Sequence, residues 1–239
     1  DNHRFARVST DPTAAWRDEN STINESDPAF DSVDFAPKSL ACFTKVSREL
    51  LSDGVNSEEA IEAALLGAMQ QELDRAALFG SGTDPEPLGL ANATGINTVA
   101  HDAVLASYAP MVSAVQKILA ADGPQPTAAI MAPRTWGELA NLQDTTNQPM
   151  TVPPALSGLR MVVASKVPTD QGTGTNETTV LVGDYSRLWI GIRTTLRLEL
   201  ARELYAENHQ VGMFAHLRAD VQVQHPGAFA AITGIAPTT

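Results

Sequence analysis

The amino-acid sequence predicts an α+β fold in which one long helix packs on long antiparallel strands, beside a region that alternates helices with strands. Apolar residues recur at helical spacing across residues 56–79. Apolar and polar side chains alternate strictly in residues 196–200 and 211–223, a pattern typical of strands with one buried face. Short helix and strand patterns alternate between residues 103 and 192, which indicates α/β packing there.

The N-terminal region lacks the apolar residues of a core. Its first 34 residues are rich in Asp, Asn, Ser and Thr. Residues 35–50 then show an extended pattern, with polar and apolar side chains mixed on both faces. We expect this strand to form a projecting two-stranded ribbon with residues 15–24, across a turn near Asp27 and Pro28. Because an isolated ribbon is only marginally stable, it requires another surface.

The long helix is predicted to run from Asn56 to Phe79, about 35 Å at 1.5 Å per residue. Asn56 and Glu59 have the spacing of a capping box, and Gly80 follows as a stop signal. The apolar stripe comprises Ile61, Leu65, Met69, Leu73 and Ala76. We expect this stripe to face the alternating strands, since both are long and each has one apolar face.

The middle of the chain contains several shorter elements. They are a helix with Val104, Val112, Val115, Ile118 and Leu119, a helix opened by Pro133 with Trp136 and Leu139, and strands at 128–131, 159–164, 179–182 and 188–192. The run TDQGTGTNET, residues 169–178, separates two of these strands and is predicted to be a surface loop.

The glycine-rich sequence GSGT, residues 80–83, is the motif that most suggests ligand chemistry. A phosphate-binding loop needs N–H groups at the start of a helix and a lysine for the phosphates. Here the glycines follow the helix, at the negative end of its dipole, and no lysine is near. We therefore interpret the loop as a structural elbow, and the DPEP sequence at 84–87 as a rigid turn instead of a cation site.

The histidines and the cysteine give even weaker evidence for a functional site. His209, His216 and His225 share no metal-ligand spacing, and Cys42, as the sole cysteine, excludes an internal disulfide and a cysteine-based zinc site. No arrangement of Ser, His and Asp suggests a catalytic triad. The sequence therefore gives no catalytic, cofactor-binding or metal-binding residue, and we expect a protein that is not an enzyme and needs no cofactor.

The charge and hydropathy limit the possible partners. The net charge of −12 and the pI near 4.7 argue against a basic face that grips nucleic acid. No window approaches the roughly 20 continuous apolar residues needed to cross a bilayer, so we expect no membrane partner.

The order of several segments resembles that of the major capsid proteins of tailed bacteriophages (Caudoviricetes), which have the HK-ninety-seven-like fold. These segments are FTKVSRELLSD, ALFGSGTDPEPLGLANATGI, IMAPRTWGELANLQD, GDYSRLWIGIR and LRADVQVQHPGAFAAITG. The resemblance runs from about residue 35 to 234. It implies an N-terminal arm at 1–14, an extended loop at 15–53, a peripheral domain at 54–100 and 192–225, and an axial domain at 101–191 and 226–239.

The resemblance also implies a function. It predicts a subunit that forms hexamers and pentamers of an icosahedral virion shell around double-stranded DNA, assembled in the bacterial cytoplasm. Implied partners are a portal, a scaffold or protease, and decoration proteins. The start at Asp1 is compatible with proteolytic removal of a scaffolding segment. Two alternatives remain open at this point: an encapsulin-type nanocompartment shell, which shares the fold, and a soluble α/β enzyme.

Overall fold

The computed structural model describes residues 3–10, 12–22, 25–27, 29–54, 56–201 and 203–238. The helices are α1 (Arg48–Asp53), α2 (Ser57–Phe79), α3 (Ala109–Ala120) and α4 (Pro133–Ala140). The strands are β1 (His3–Thr10), β2 (Ala29–Phe35), β3 (Lys38–Ser47), β4 (Asn97–Val104), β5 (Ala128–Met131), β6 (Arg160–Val163), β7 (Thr178–Gly183), β8 (Leu188–Ala201), β9 (Gln210–Val223) and β10 (Phe229–Ala236).

The strands form three sheets, and the predicted α+β fold is confirmed. β1 and β2 make a two-stranded antiparallel ribbon. A three-stranded antiparallel sheet has the order β3-β9-β8, and a five-stranded mixed sheet has the order β4-β10-β7-β5-β6. Helix α2 packs on the three-stranded sheet, and α3 packs on the five-stranded one.

Helix α2 lies along the three-stranded sheet as its apolar stripe predicts. Leu65 and Met69 are buried against Met213, Ala215 and Leu217 of β9. The predicted capping box is wrong. Asn56 has left-handed backbone angles (φ 65°, ψ 16°) and its side chain caps no N–H group. A capping side chain reaches the helix N–H groups from extended backbone, which Asn56 does not adopt.

The three-stranded sheet has β9 at its centre. The apolar residues predicted on one face of residues 211–223 are all buried, and on the other face Gly212 and Asp220 are buried as well. Strand β8 differs from the prediction, because the segments 188–192 and 196–200 belong to one strand whose register shifts between Ile192 and Arg197. Since α2 packs mainly over β3 and β9, Ile190 and Ile192 of β8 remain 48% and 55% exposed.

The five-stranded sheet contains two strands that the sequence patterns did not predict. β10 lies between β4, to which it is parallel, and β7, to which it is antiparallel. Val104, expected in a helix, ends β4, and the helix begins at Ala109. The predicted strands at 128–131, 159–164 and 179–182 and the helix opened by Pro133 are confirmed within a residue or two.

The ribbon pairs differently from the expectation. Its strands are β1 and β2, so the predicted pairing of residues 15–24 with 35–50 is wrong. Two ion pairs join residues directly opposite each other, Arg4 with Asp34 and Arg7 with Asp31, each at 2.7 Å. Opposite charges on facing positions favour this register. After Phe35 the chain leaves the ribbon and enters β3 of the three-stranded sheet.

The packing of α2 on β9 predicts the effect of a charge on the apolar stripe. Leu65 is 5% exposed, so Leu65→Asp buries an unpaired carboxylate at a cost of several kcal/mol, out of a total stability of about 5–15 kcal/mol. We expect its melting temperature to fall by about 10 °C or more. Glu62→Gln, on the half-buried flank of the helix, should change it little. Indistinguishable circular dichroism melts for the two variants would contradict this assignment of the core face.

Candidate functional site

The GSGT loop is a structural elbow, as its position after the helix predicts. The N–H of Gly80 donates to the carbonyl of Ala76 at 2.9 Å, and the N–H of Gly89 donates to the carbonyl of Gly80 at 3.0 Å. A Cβ atom on Gly80 would lie 2.2 Å from the carbonyl oxygen of Pro87, and one on Gly89 would lie 2.2 Å from the nitrogen of Gly80. The two glycines therefore let the backbone segments approach closely.

The charged groups of the elbow are used within the chain. The Glu86 carboxylate accepts hydrogen bonds from the hydroxyl of Ser81 at 2.7 Å and from its N–H at 3.1 Å, and it pairs with Arg75. These Ser81 bonds, and then the Arg75 guanidinium, lower the pKa of Glu86 to about 2. Lys38 of β3 pairs with Asp84. The elbow thus connects helix and sheet, and its arginine is already paired with carboxylates.

Neither a metal-ligand cluster nor a membrane-spanning helix is found in the part of the chain that the structure describes. No group of three or more His, Cys, Asp or Glu side chains there is placed to hold a metal ion. Of the histidines singled out from the sequence, His216 lies half-buried on the face of β9 that points away from α2. None of the helices described has both the length and the apolar content needed to cross a membrane.

The base of the ribbon is packed on the three-stranded sheet. Phe35 is buried and lies against the backbone of Gly191, where a Cβ atom would be 2.6 Å from its ring. The Phe5 ring makes edge contacts with Phe35 at 5.7 Å and with Trp189 of β8 at 6.1 Å, measured between ring centroids. This aromatic cluster joins both ribbon strands to β8.

Hydrogen bonds reinforce that attachment. Asp220 is 4% exposed, and its carboxylate accepts the N–H of Ala36 at 2.7 Å. Arg218 donates to the carbonyl of Pro37 at 3.1 Å. Since Ala36 and Pro37 connect the ribbon to β3, these bonds fix the point where the ribbon leaves the sheet. The sequence patterns did not reveal this cluster, because its members are as far apart as Ala36 and Asp220.

The tip of the ribbon, residues 12–27, differs from the base in its described residues, 12–22 and 25–27. Thr13 and Ser26 are joined by hydrogen bonds from the Thr13 N–H at 2.9 Å and between the hydroxyls at 3.2 Å. Trp16 is fully exposed. A fully exposed tryptophan leaves a large apolar surface in water.

A second apolar surface lies where the ribbon meets the edge of β8. A cleft of about 620 Å³ there is lined mainly by Phe35, Trp189, Ile190 and Ile192. Among the described residues that line it, Arg193 alone is charged. The ribbon therefore exposes apolar surface at both of its ends, and each exposed surface is suited to docking.

The sequence model of the phage capsid family matches residues 1–234. The chain belongs to the phage capsid family. Its most similar relatives include the major capsid protein of Klebsiella oxytoca phage phiKO2, 23% identical over 98% of this chain and 60% of that protein. The major capsid protein of Halomonas phage phiHAP-1 is 32% identical over 34% of this chain and 14% of that protein. The chain thus spans no more than about 60% of the length of these two relatives.

Solved structures show that this chain has a capsid fold. The capsid protein of a native GTA particle superposes with a TM-score of 0.76 at 20% identity, over 98% of this chain and 85% of that one. A chain from Microbacterium phage Oxtober96 superposes with a TM-score of 0.75 at 17% identity, over 99% and 86% of the two chains. The likeness thus covers almost the whole of this chain.

The elbow predicts an acid-dependent loss of stability. Glu86 has a lowered pKa in the folded chain, so the stability from its ionised form is present above its ordinary pKa of 4.5 and is lost as the pH falls toward about 2. We expect Glu86→Gln to melt below the parent at pH 7, with a difference that shrinks between pH 4.5 and 2. Glu199→Gln, at an exposed strand position, is the control. A difference that stays constant over this range would show that the charge of Glu86 does not stabilise the elbow.

Proposed function

We propose that this chain is a major capsid protein, the structural subunit that assembles into the icosahedral head shell of a tailed bacteriophage around double-stranded DNA. Membership of the phage capsid family, the capsid fold and the name of the phiKO2 relative support this function. The single observation that carries it is the ribbon, which is fixed at its base and exposes a tryptophan at its tip.

The energetics of the ribbon support a role between subunits. Two strands alone are marginally stable, and the described tip residues are almost all exposed. In a closed symmetric shell each subunit offers the same projecting element and the same receiving surface. Many modest contacts then add up to a stable particle.

We further propose that the parts of the fold correspond to capsid domains. The sequence divided the chain into an arm at 1–14, an extended loop at 15–53, a peripheral domain at 54–100 and 192–225, and an axial domain at 101–191 and 226–239. The strand pairing supports drawing the extended loop as the ribbon, with β3 counted in the peripheral domain beside α2 and β9. The five-stranded sheet with α3 is then the axial domain.

The proposed partners follow from the shell function. The subunits form hexamers and pentamers of the virion, assembled in the host cytoplasm with a portal, a scaffold or protease, and decoration proteins. The protein is structural, with no enzymatic activity and no cofactor. The net charge of −12 suits a shell that confines DNA without sequence-specific binding.

Electron microscopy of particles, combined with their mass and nucleic-acid content, tests this function. We expect closed icosahedral shells that protect double-stranded DNA from nuclease. Smaller shells that hold a protein cargo and no DNA would instead indicate an encapsulin-type compartment. A small soluble oligomer would contradict both shell functions and favour an enzyme.

Removal of the ribbon tip should prevent shell closure without unfolding the subunit. Deletion of residues 14–25, bridged by two glycines between Thr13 and Ser26, leaves the base contacts of Phe35 and Asp220 in place. We expect circular dichroism melts within a few degrees of the parent, and capsomers or smaller oligomers in sedimentation and microscopy. Normal closed shells from this variant would refute an intersubunit role for the tip.

A further inference from the structure

We propose that Trp16 at the ribbon tip of one copy inserts into the apolar cleft at the ribbon base of a second copy. The inference rests on the proposed shell function, and it names both the anchoring residue and the surface that receives it. Four features carry it: the exposure of Trp16, the shape and chemistry of the cleft, the length of the ribbon, and the opposite charges of the two surfaces.

The cleft is suited to an aromatic side chain. Its principal lining residues are Phe5, Phe35, Trp189, Ile190, Ile192 and Arg193. Ile190 and Ile192 border the cleft along the edge strand and are about half exposed, with their side chains on the face of the sheet opposite to Phe35. The aromatic side of the cleft is held in place, because Phe35 packs on Gly191 and contacts the ring of Phe5. A preformed apolar cleft loses less conformational entropy than a mobile surface does when it binds a side chain.

Trp16 has the properties of an anchor. A tryptophan side chain buries about 150–250 Å² and has only two rotatable side-chain bonds. It is among the residues that most often dominate binding energy at interfaces. The neighbouring Ala14 and Ala15 have small side chains and are exposed, so they leave the indole ring of Trp16 accessible to a partner.

The ribbon is too long for Trp16 to enter the cleft of its own chain. β1 and β2 stay paired from His3 opposite Phe35 to Thr10 opposite Ala29. At about 3.3 Å per residue, this paired length is about 23 Å. Trp16 follows the paired strands at the far end, where the hydrogen bonds between Thr13 and Ser26 hold the two sides of the tip together. The indole of a second copy is therefore the one that reaches the cleft.

The two surfaces carry opposite charges. The tip, residues 12–27, contains four acidic residues and one arginine, Arg17, which gives it a net charge of −3. Arg193 in the cleft and Arg197 farther along β8 are exposed, and neither side chain has a hydrogen bond or ion pair within the described ranges. An acidic tip that approaches an edge with two unpaired arginines gains favourable electrostatic steering and orientation. Every copy of the chain carries both an acidic tip and an edge with arginines. A second copy is therefore the partner that this charge complementarity favours.

A photo-cross-linking experiment tests the contact directly. p-Benzoylphenylalanine replaces Trp16 in a minority of subunits, which co-assemble with an excess of unmodified subunits labelled with nitrogen-15. We expect irradiated shells to give cross-links from position 16 to labelled peptides that contain Trp189, Ile190 or Ile192. Dissociated subunits should give no such cross-links. The same probe at Trp136, a half-exposed tryptophan outside the cleft, is the matched control and should not link to β8.

Assembly measurements give a second readout. We expect Trp16→Ala to raise the protein concentration for half-maximal assembly by at least about tenfold, Trp16→Phe to raise it less, and Trp136→Ala to change it by less than about threefold. Three results in closed shells would overturn this proposal and leave the proposed function standing. They are cross-links from position 16 to unlabelled peptides of its own chain, cross-links to other peptides, and no cross-links. Failure of the unmodified protein to form any shell would overturn the proposed function, and this proposal with it.

Discussion

Phe35 packs directly on the backbone of Gly191, and this contact joins the ribbon to the three-stranded sheet. Only glycine allows the approach, because a Cβ atom at position 191 would overlap the phenyl ring. The buried carboxylate of Asp220 fixes the adjacent Ala36, so the ribbon leaves the sheet at a defined place. Rigid attachment at the base lets a marginally stable ribbon carry its tip away from the body of the subunit.

Stability and assembly therefore depend on different parts of the molecule. The packing of α2 on β9 and of α3 on the five-stranded sheet buries two groups of apolar side chains. The elbow joins the end of α2 to the chain that enters β4, and its ion pairs hold it to the helix and to β3. The ribbon tip adds little to these cores. It can therefore change its surroundings during assembly without loss of the fold.

Much of the fold could be predicted from the sequence, because Leu65 and Met69 of α2 follow the helical period and the apolar residues of β9 follow the period of two. β10 could not, since it is buried along most of its length and its apolar run has no alternation. The ribbon pairing also escaped prediction. Its ion pairs, such as that of Arg4 with Asp34, become recognisable only when the register of the strands is known. The elbow could be predicted because its glycines follow α2, at the negative end of the helix dipole. The cleft at Trp189 could not be predicted, because it depends on tertiary packing of distant segments.

The central claim is that the ribbon is fixed at its base and stabilised at its tip by another copy. The most direct test compares hydrogen exchange in dissociated subunits with hydrogen exchange in assembled shells of the same protein. The account predicts that backbone amides of residues 12–22 exchange rapidly in dissociated subunits and at least about tenfold more slowly in shells. Amides of β9 should be protected in both states, because α2 and the neighbouring strands cover them. Equal exchange rates for residues 12–22 in the two states would contradict the account.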